Sequence, residues 1–166
     1  MRDEEGKPLP TGAPGEVCVR GPQVSGEYLG RGSQLGPQGW LATRDGGRLD
    51  EEGYLFLSGR IDDVIVRGGE NLSPGEIEDV LLEHPAVAEC AVVGIADVEW
   101  GEAVAAAVVL AEGASASGDE LRAWVRERLR SSRVPSRVVF RRELPYNETG
   151  KLLRRVLRAE LAEGTQ

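Results

Sequence analysis

Lysine is almost missing from this chain: of twenty basic residues only Lys7 and Lys151 are lysine, so arginine carries nearly every cation. Histidine and cysteine are as scarce. With His84 as the one histidine, no site can be built on two imidazoles, and Cys18 and Cys90 leave a four-ligand Cys/His zinc centre short of ligands, so no metal site is expected. A Ser-His-Asp hydrolase would have to rest on His84 alone. Each cysteine sits in an apolar run, Val17-Cys18-Val19 and Cys90-Ala91-Val92, which fits buried free thiols of a reducing compartment better than a disulfide framework. Long hydrophobic runs are absent too. The longest, Ala103 to Ala111, is far too short to cross a bilayer, and the charged start Met1 to Lys7 lacks the apolar centre of a signal peptide. A cytoplasmic protein without a membrane span is expected.

Positive charge is in deficit overall. Twenty Lys and Arg face twenty-eight Asp and Glu, for a net charge of -8, which argues against a protein that coats nucleic acid through counterion release. The deficit is uneven: Met1 to Glu120 carries eight basic and twenty-three acidic residues, net -15, whereas Leu121 to Gln166 carries twelve and five, net +7. The basic tail is either a solvated arginine-rich helix face or a surface that meets an anion, and charge alone does not choose between them.

What is present is enough for a core: 166 residues, 40% of them hydrophobic. Residues 1–58 are dense in turn formers. Pro8, Pro10, Gly12, Pro14 and Gly15 precede the alternating run Glu16 to Arg20, and a glycine-rich stretch continues to Gly39. Short strands are expected there, with others at Trp40-Leu41 and Gly53 to Leu57 and a turn at Asp50 to Gly53. Beyond Gly59 the texture changes. Asp63 to Val66 reads as a strand. Ser73-Pro74-Gly75-Glu76 reads as a helix start, with Ser73 as N-cap, Pro74 in the first turn and Glu76 three residues after the cap. Ile77, Val80 and Leu81 then share a face, and the helix stops before His84-Pro85.

Ala86 to Ala96 and Ala103 to Ala111 are Val-rich runs expected as strands. Ser117 with Glu120 forms a capping box that opens a helix burying Leu121, Trp124, Val125 and Leu129. Val134 to Phe140 reads as a strand, Glu143 to Gly150 as a polar loop, and Leu152 to Ala162 as a closing helix. The expected fold is α+β: a small domain over 60–166, with a short sheet and about three helices covering one of its faces, preceded by a β-rich piece over 1–59. That first piece has few large apolar residues and is expected to be the end of a larger domain.

Two segments invite chemistry. Lys151 follows Gly150 in Asn147-Glu148-Thr149-Gly150-Lys151, and in a chain that otherwise prefers arginine a compact ammonium there suits a narrow site with a developing anion; an ordinary surface lysine fits as well. Gly68-Gly69, between a strand and a capped helix, lets backbone approach a ligand or simply turn.

Nine segments in order carry a resemblance. They are Gly15-Glu16-Val17 with Val19 to Pro22, Gly39-Trp40-Leu41, Thr43-Arg44-Asp45, Gly59 to Asp62, Gly68 to Asn71, Pro74 with Glu76 to Glu78, His84 to Val87, Trp100-Gly101-Glu102, and Thr149-Gly150-Lys151. Through them the chain resembles the adenylate-forming enzymes: acyl-CoA synthetases, aryl-CoA ligases, luciferases and peptide-synthetase adenylation domains. Gly68 to Asn71 and Trp100 to Glu102 are closest to the acyl- and aryl-CoA ligase branch.

The resemblance implies a large N-terminal domain that binds ATP with Mg and a carboxylic acid, and a small C-terminal lid that rotates between two half-reactions, acyl-adenylate formation and transfer to CoA. It implies that Asp45 binds the ribose hydroxyls, that Arg60 contacts the nucleotide, that Asp62 is the hinge and that Lys151 acts in adenylation. Gly68 and Gly69 would line the pantetheine passage, with Trp100 near the CoA adenine and Arg133 or Arg137 facing CoA phosphates. Arg44 departs from the family, which has glycine between the Thr and the Asp. The phosphate loop, adenine pocket and acyl pocket have no counterpart in these residues, so the chain is expected to be a C-terminal fragment that is inactive alone. Two alternatives stand beside the ligase: the same part of an amino-acid adenylation domain, and a non-catalytic lid-fold binding module.

Overall fold

Prolines and glycines cut the first sixty residues into short strands. The computed structural model describes residues 1–3, 5–28 and 32–163; Gly30, in the glycine-rich stretch, lies outside them. β1 (Gly15–Val19), β4 (Leu41–Leu49) and β5 (Leu55–Arg60) form an antiparallel sheet in the order β1-β4-β5, and β2 (Glu27–Tyr28) pairs with β3 (Gly32–Ser33). The β4–β5 turn is organised by Asp50, whose Oδ1 accepts the N–H groups of Glu52 and Tyr54 at 3.0 and 2.8 Å. Main-chain contacts divide the chain into two units, Met1–Asp62 and Asp63–Gln166, just beyond the change of texture at Gly59.

The first unit has little apolar interior. Every buried hydrophobic side chain among the described residues lies between Ile65 and Leu161. Arginine over aromatic rings does part of the work instead: Arg2 and Arg20 flank Trp40 at 4.5 and 4.8 Å from its centroid, and Arg48 lies 4.5 Å from that of Phe56.

The second unit runs β6 (Ile65–Arg67), β7 (Glu70–Leu72), α1 (Pro74–Leu82), β8 (Val87–Asp97), β9 (Gly101–Leu110), α2 (Gly118–Arg128), β10 (Arg137–Arg141) and α3 (Arg154–Glu163). This is the expected α+β fold with three helices. β9 is the organising strand: β8 pairs with it antiparallel along its length, β10 pairs parallel to its second half, and the β6–β7 hairpin joins at its first residue. β7 was not anticipated. Gly68 and Gly69, at φ +56° and +81°, are the two central residues of a tight hairpin turn, so the chain reverses before the helix rather than leading straight into it.

The helices also differ from expectation, which put them on one face. Ile77 and Leu81 of α1 and Leu121 and Val125 of α2 pack with Val92, Val104, Ala106 and Val108. Leu157 and Leu161 of α3, with Leu144, pack with Ala91, Val93, Ile95 and Ala105. Alternate residues of β8 and β9 therefore feed two cores on opposite faces. Both parities of the Val/Ala runs are buried, which is why those strands read as continuous apolar stretches. The Ser117 capping box forms as expected, with Glu120 N–H donating to Ser117 Oγ at 3.1 Å and Ser117 N–H to Glu120 Oε2 at 3.4 Å. At α1, Pro74 opens the helix, but Ser73 makes no capping hydrogen bond with its side chain, and the Glu76 carboxylate that would complete a capping box is bound to Arg133.

The remaining expectations concern single residues. Both cysteines are free and half-buried. The Cys90 thiol is pushed up to about 12, first by burial and then by the nearby Glu78 carboxylate, so it stays protonated and inert at neutral pH. His84 is buried: its Nδ1 accepts the Ala86 N–H at 3.2 Å and its ring meets Trp124 edge-on at 4.9 Å. It shapes the turn between α1 and β8. Among the described residues no helix is long and apolar enough to cross a membrane, and no group of three or more His, Cys, Asp or Glu is disposed to hold a metal.

Candidate functional site

The expected site residues fall into three clusters, one in the first unit and two in the second. In the first, Asp45 on β4 pairs across the sheet with Arg60 on β5. Arg60 Nη1 donates to Asp45 Oδ1 and to the Thr43 carbonyl, both at 3.1 Å, while Thr43 Oγ1 accepts the Asp45 N–H at 3.1 Å and donates to the Val17 carbonyl at 2.9 Å. A partly exposed carboxylate and guanidinium are thus presented side by side from a rigid strand pair. An acceptor carboxylate suits vicinal hydroxyls, and the guanidinium beside it suits a phosphate.

Arg44 keeps the conformation that a glycine would take, with φ +65°. Holding a residue with a Cβ there costs on the order of 1–2 kcal/mol. Its guanidinium goes to Asp62, with Nε 3.2 Å from Oδ2 and Nη2 bonded to Oδ1, rather than to Asp45. That hydrogen bonding holds the Asp62 carboxyl below the usual aspartate range.

The second cluster surrounds the β6–β7 turn. Trp100 lies over Gly68, whose N–H donates to the Trp100 carbonyl at 2.8 Å; a Cβ on Gly68 would come within 2.8 Å of the indole ring. Glycine is required here twice, for the positive φ and for the ring. Gly101 follows at φ +80° and lets Glu102 turn back across Gly94 to accept the Val66 N–H at 2.7 Å, which explains the Trp-Gly-Glu triplet: each residue helps fix β6 against β9. Arg67, Glu70, Ser131 and Ser132 complete a cleft beside the turn. Arg67 lies 5.6 Å from the Trp100 centroid and donates from Nη1 to the Ser132 carbonyl at 2.8 Å. Sequence reading missed this arginine, and only the hairpin makes it a neighbour of Trp100.

Two expected anion contacts turn inward. Arg133 is held by Glu76 at 2.6 Å and Glu70 at 2.7 Å, and Arg137 donates from Nη1 to the Leu161 carbonyl at 2.7 Å. Arg133 also keeps Glu70 below the usual glutamate range. Both arginines tie elements of the unit together.

The third cluster carries Lys151. Asn147 Oδ1 accepts the N–H groups of Thr149 at 3.1 Å and Lys151 at 2.7 Å, and the Asn147 N–H donates to the Lys151 carbonyl at 2.9 Å. Gly150 at φ +77° completes the turn. The Asn-Glu-Thr-Gly-Lys sequence is therefore a self-bonded loop that fixes the Lys151 backbone and leaves its side chain exposed, immediately before α3.

Residues 76–151 match the family described as the AMP-binding enzyme C-terminal domain. That stretch of the chain is an AMP-binding enzyme C-terminal domain by this match. It is 43% identical over 164 residues to a 2-succinylbenzoate–CoA ligase of Bacillus mycoides, an alignment that covers 97% of this chain and 34% of the ligase. It is 45% identical to the fatty acid–[acyl-carrier-protein] ligase ScoC of Streptomyces coeruleorubidus, over 94% of this chain and 31% of ScoC. Among solved structures, the amide bond synthetase McbA of Marinactinospora thermotolerans superposes with a TM-score of 0.87 at 43% identity, over 96% of this chain and 34% of McbA. The chain spans about a third of the length of the curated relatives it matches. The alignments extend over the strand-rich first unit as well as over the matched domain.

Proposed function

We infer that this chain is the C-terminal part of an ATP-dependent ligase that activates a carboxylic acid as its acyl-adenylate and passes the acyl group to the thiol of CoA. Lys151 carries the reading: a nearly unique lysine, fixed by the Asn147 loop at the last residue of the matched family domain, with its side chain in solvent. In the first half-reaction two anions, a carboxylate and a Mg-bound triphosphate, must approach each other. The Lys151 ammonium stabilises the charge developing at the α-phosphate, and closure of the lid excludes water. Asp45 and Arg60 hold the ribose and the nearby phosphate from the first unit, which we take as the end of the large nucleotide-binding domain. In the second half-reaction the Gly68-Gly69 turn forms a wall without side chains along which the pantetheine arm passes, and Trp100 meets the adenine. The close packing of Trp100 on Gly68 keeps the indole beside the turn, since any side chain at Gly68 would displace it. Asp62 is the pivot between the two orientations, and two free thiols suit a reducing cytoplasm.

The test is product analysis on the full-length enzyme that carries this chain. Carboxylic-acid-dependent conversion of ATP to AMP and pyrophosphate, with CoA consumed in equal amount, is expected. Cleavage of ATP to ADP and phosphate, or CoA consumption without nucleotide cleavage, contradicts the reading.

A further inference from the structure

We propose that two arginines confine lid rotation to the peptide joining Asp62 and Asp63, Arg44 by gripping Asp62 within the first unit and Arg154 by gripping Asp63 within the second. The inference deepens the function proposed above and rests on it for its catalytic consequence. The division between the units falls between these two aspartates. On the first side, Arg44 meets both Asp62 carboxylate oxygens through one guanidinium edge, Nε and Nη2, and its backbone is held at a φ that a side chain rarely adopts. That position is a departure from the family's glycine. The left-handed backbone aims a planar, two-pronged cation at the pivot carboxylate, which glycine cannot do.

On the other side, Arg154 is more deeply set, with its side chain 23% exposed. Its Nε lies 3.3 Å from Asp63 Oδ2, Nη1 and Nη2 meet Glu78 Oε1 and Oε2 at 2.6 and 2.9 Å, and Nη1 also donates to the Val92 carbonyl at 2.8 Å. Glu78 Oε1 accepts the Val92 N–H at 2.7 Å, so the pair satisfies both main-chain groups of Val92 on β8. Arg154 is also the first residue of α3, three positions after Lys151, and the Leu153 N–H just before it donates to the Pro145 carbonyl at 2.8 Å. The residue that begins the second unit and the loop that presents Lys151 are therefore fixed to the same strand and helix through one guanidinium. A turn about the intervening peptide then carries Lys151 as a rigid extension of Asp63, with little lost to flexing at either end. Arg44 and Arg154 are positioning residues; neither needs to touch substrate.

Hydrogen exchange read by peptide mass on the chain tests the joint. Arg154→Met is expected to raise exchange in residues 63–72 and 147–153 by about tenfold and to leave residues 41–62 unchanged; Arg44→Met is expected to raise exchange only in 41–62, by about threefold. Asp63→Asn, which spares the Glu78 and Val92 bonds, keeps the second arm readable should Arg154→Met unfold, and should reproduce the change in 63–72. Either variant loosening both sides alike overturns the proposal. In the full-length enzyme, Arg44→Met at unchanged Tm should shift the ratio of adenylation to thioester-forming rates by at least threefold. An unshifted ratio overturns the positioning role. Should Lys151→Ala leave adenylation intact, the proposed function fails while the exchange result on the joint still stands.

Discussion

Asp63–Gln166 buries its apolar side chains on both faces of one sheet, whereas Met1–Asp62 leaves Leu55, Phe56 and Leu57 exposed along its last strand and relies on arginine–aromatic and ion pairs. Fully burying a Leu or Val is worth about 1.5–3 kcal/mol, whereas exposed ion pairs and cation–π contacts are each worth at most about 1 kcal/mol. The second unit therefore has the resources of an autonomous domain, and the first is held by weaker, more exposed contacts. The difference also sorts the proposed chemistry: nucleotide-holding groups sit on the strand pair, and the lysine and the glycine turn sit on the packed unit.

Substitutions can break this contrast, most strongly in the packed unit. Leu81→Ala should cost about 2–5 kcal/mol in urea unfolding of the second unit, since Leu81 is fully buried. Gly68→Val should cost about 1–3 kcal/mol, through the left-handed φ and the collision with Trp100, and should change the Trp100 fluorescence. Ser117→Ala removes one half of a formed capping box and should cost about 1 kcal/mol, read from the same unfolding curves. The smallest effect sharpens the comparison: Phe56→Ser, on the exposed strand, should cost less than about 1 kcal/mol, the loss of its Arg48 contact. A loss at Phe56 as large as that at Leu81 would mean that the first unit has a core of its own.

Local signals in the sequence were readable where the partners are near in the chain. The Ser117–Glu120 box, the Pro74 start, the stop before Pro85 and the two Val/Ala strands all follow from neighbours within a few residues. What escaped depends on distance along the chain. Glu76 looks like a capping residue until Arg133 arrives from 57 positions away, and the helices could be assigned to one face only until both parities of β8 and β9 were seen to be buried. β7 was hidden because two glycines before a helix signal read as a connection, although their paired positive φ makes them a hairpin. Of the candidate site, Asp45, Arg60, Gly68, Trp100 and Lys151 were legible as motif residues, with the roles proposed above. The arginines that organise them were not: Arg44 looked like an intrusion, and Arg154 looked like one more charge on a basic helix.

The most direct test of the account is Lys151→Ala in the full-length enzyme, with the two half-reactions measured separately. The account predicts that carboxylate-dependent ATP–pyrophosphate exchange falls by about 10²–10³-fold, the loss expected when one preorganised donor to a developing anion is removed, while thioester formation from supplied acyl-adenylate and CoA proceeds at close to the unaltered rate. Equal loss in both half-reactions, tracking a fall in Tm, would contradict it and make Lys151 a structural residue of the Asn147 loop.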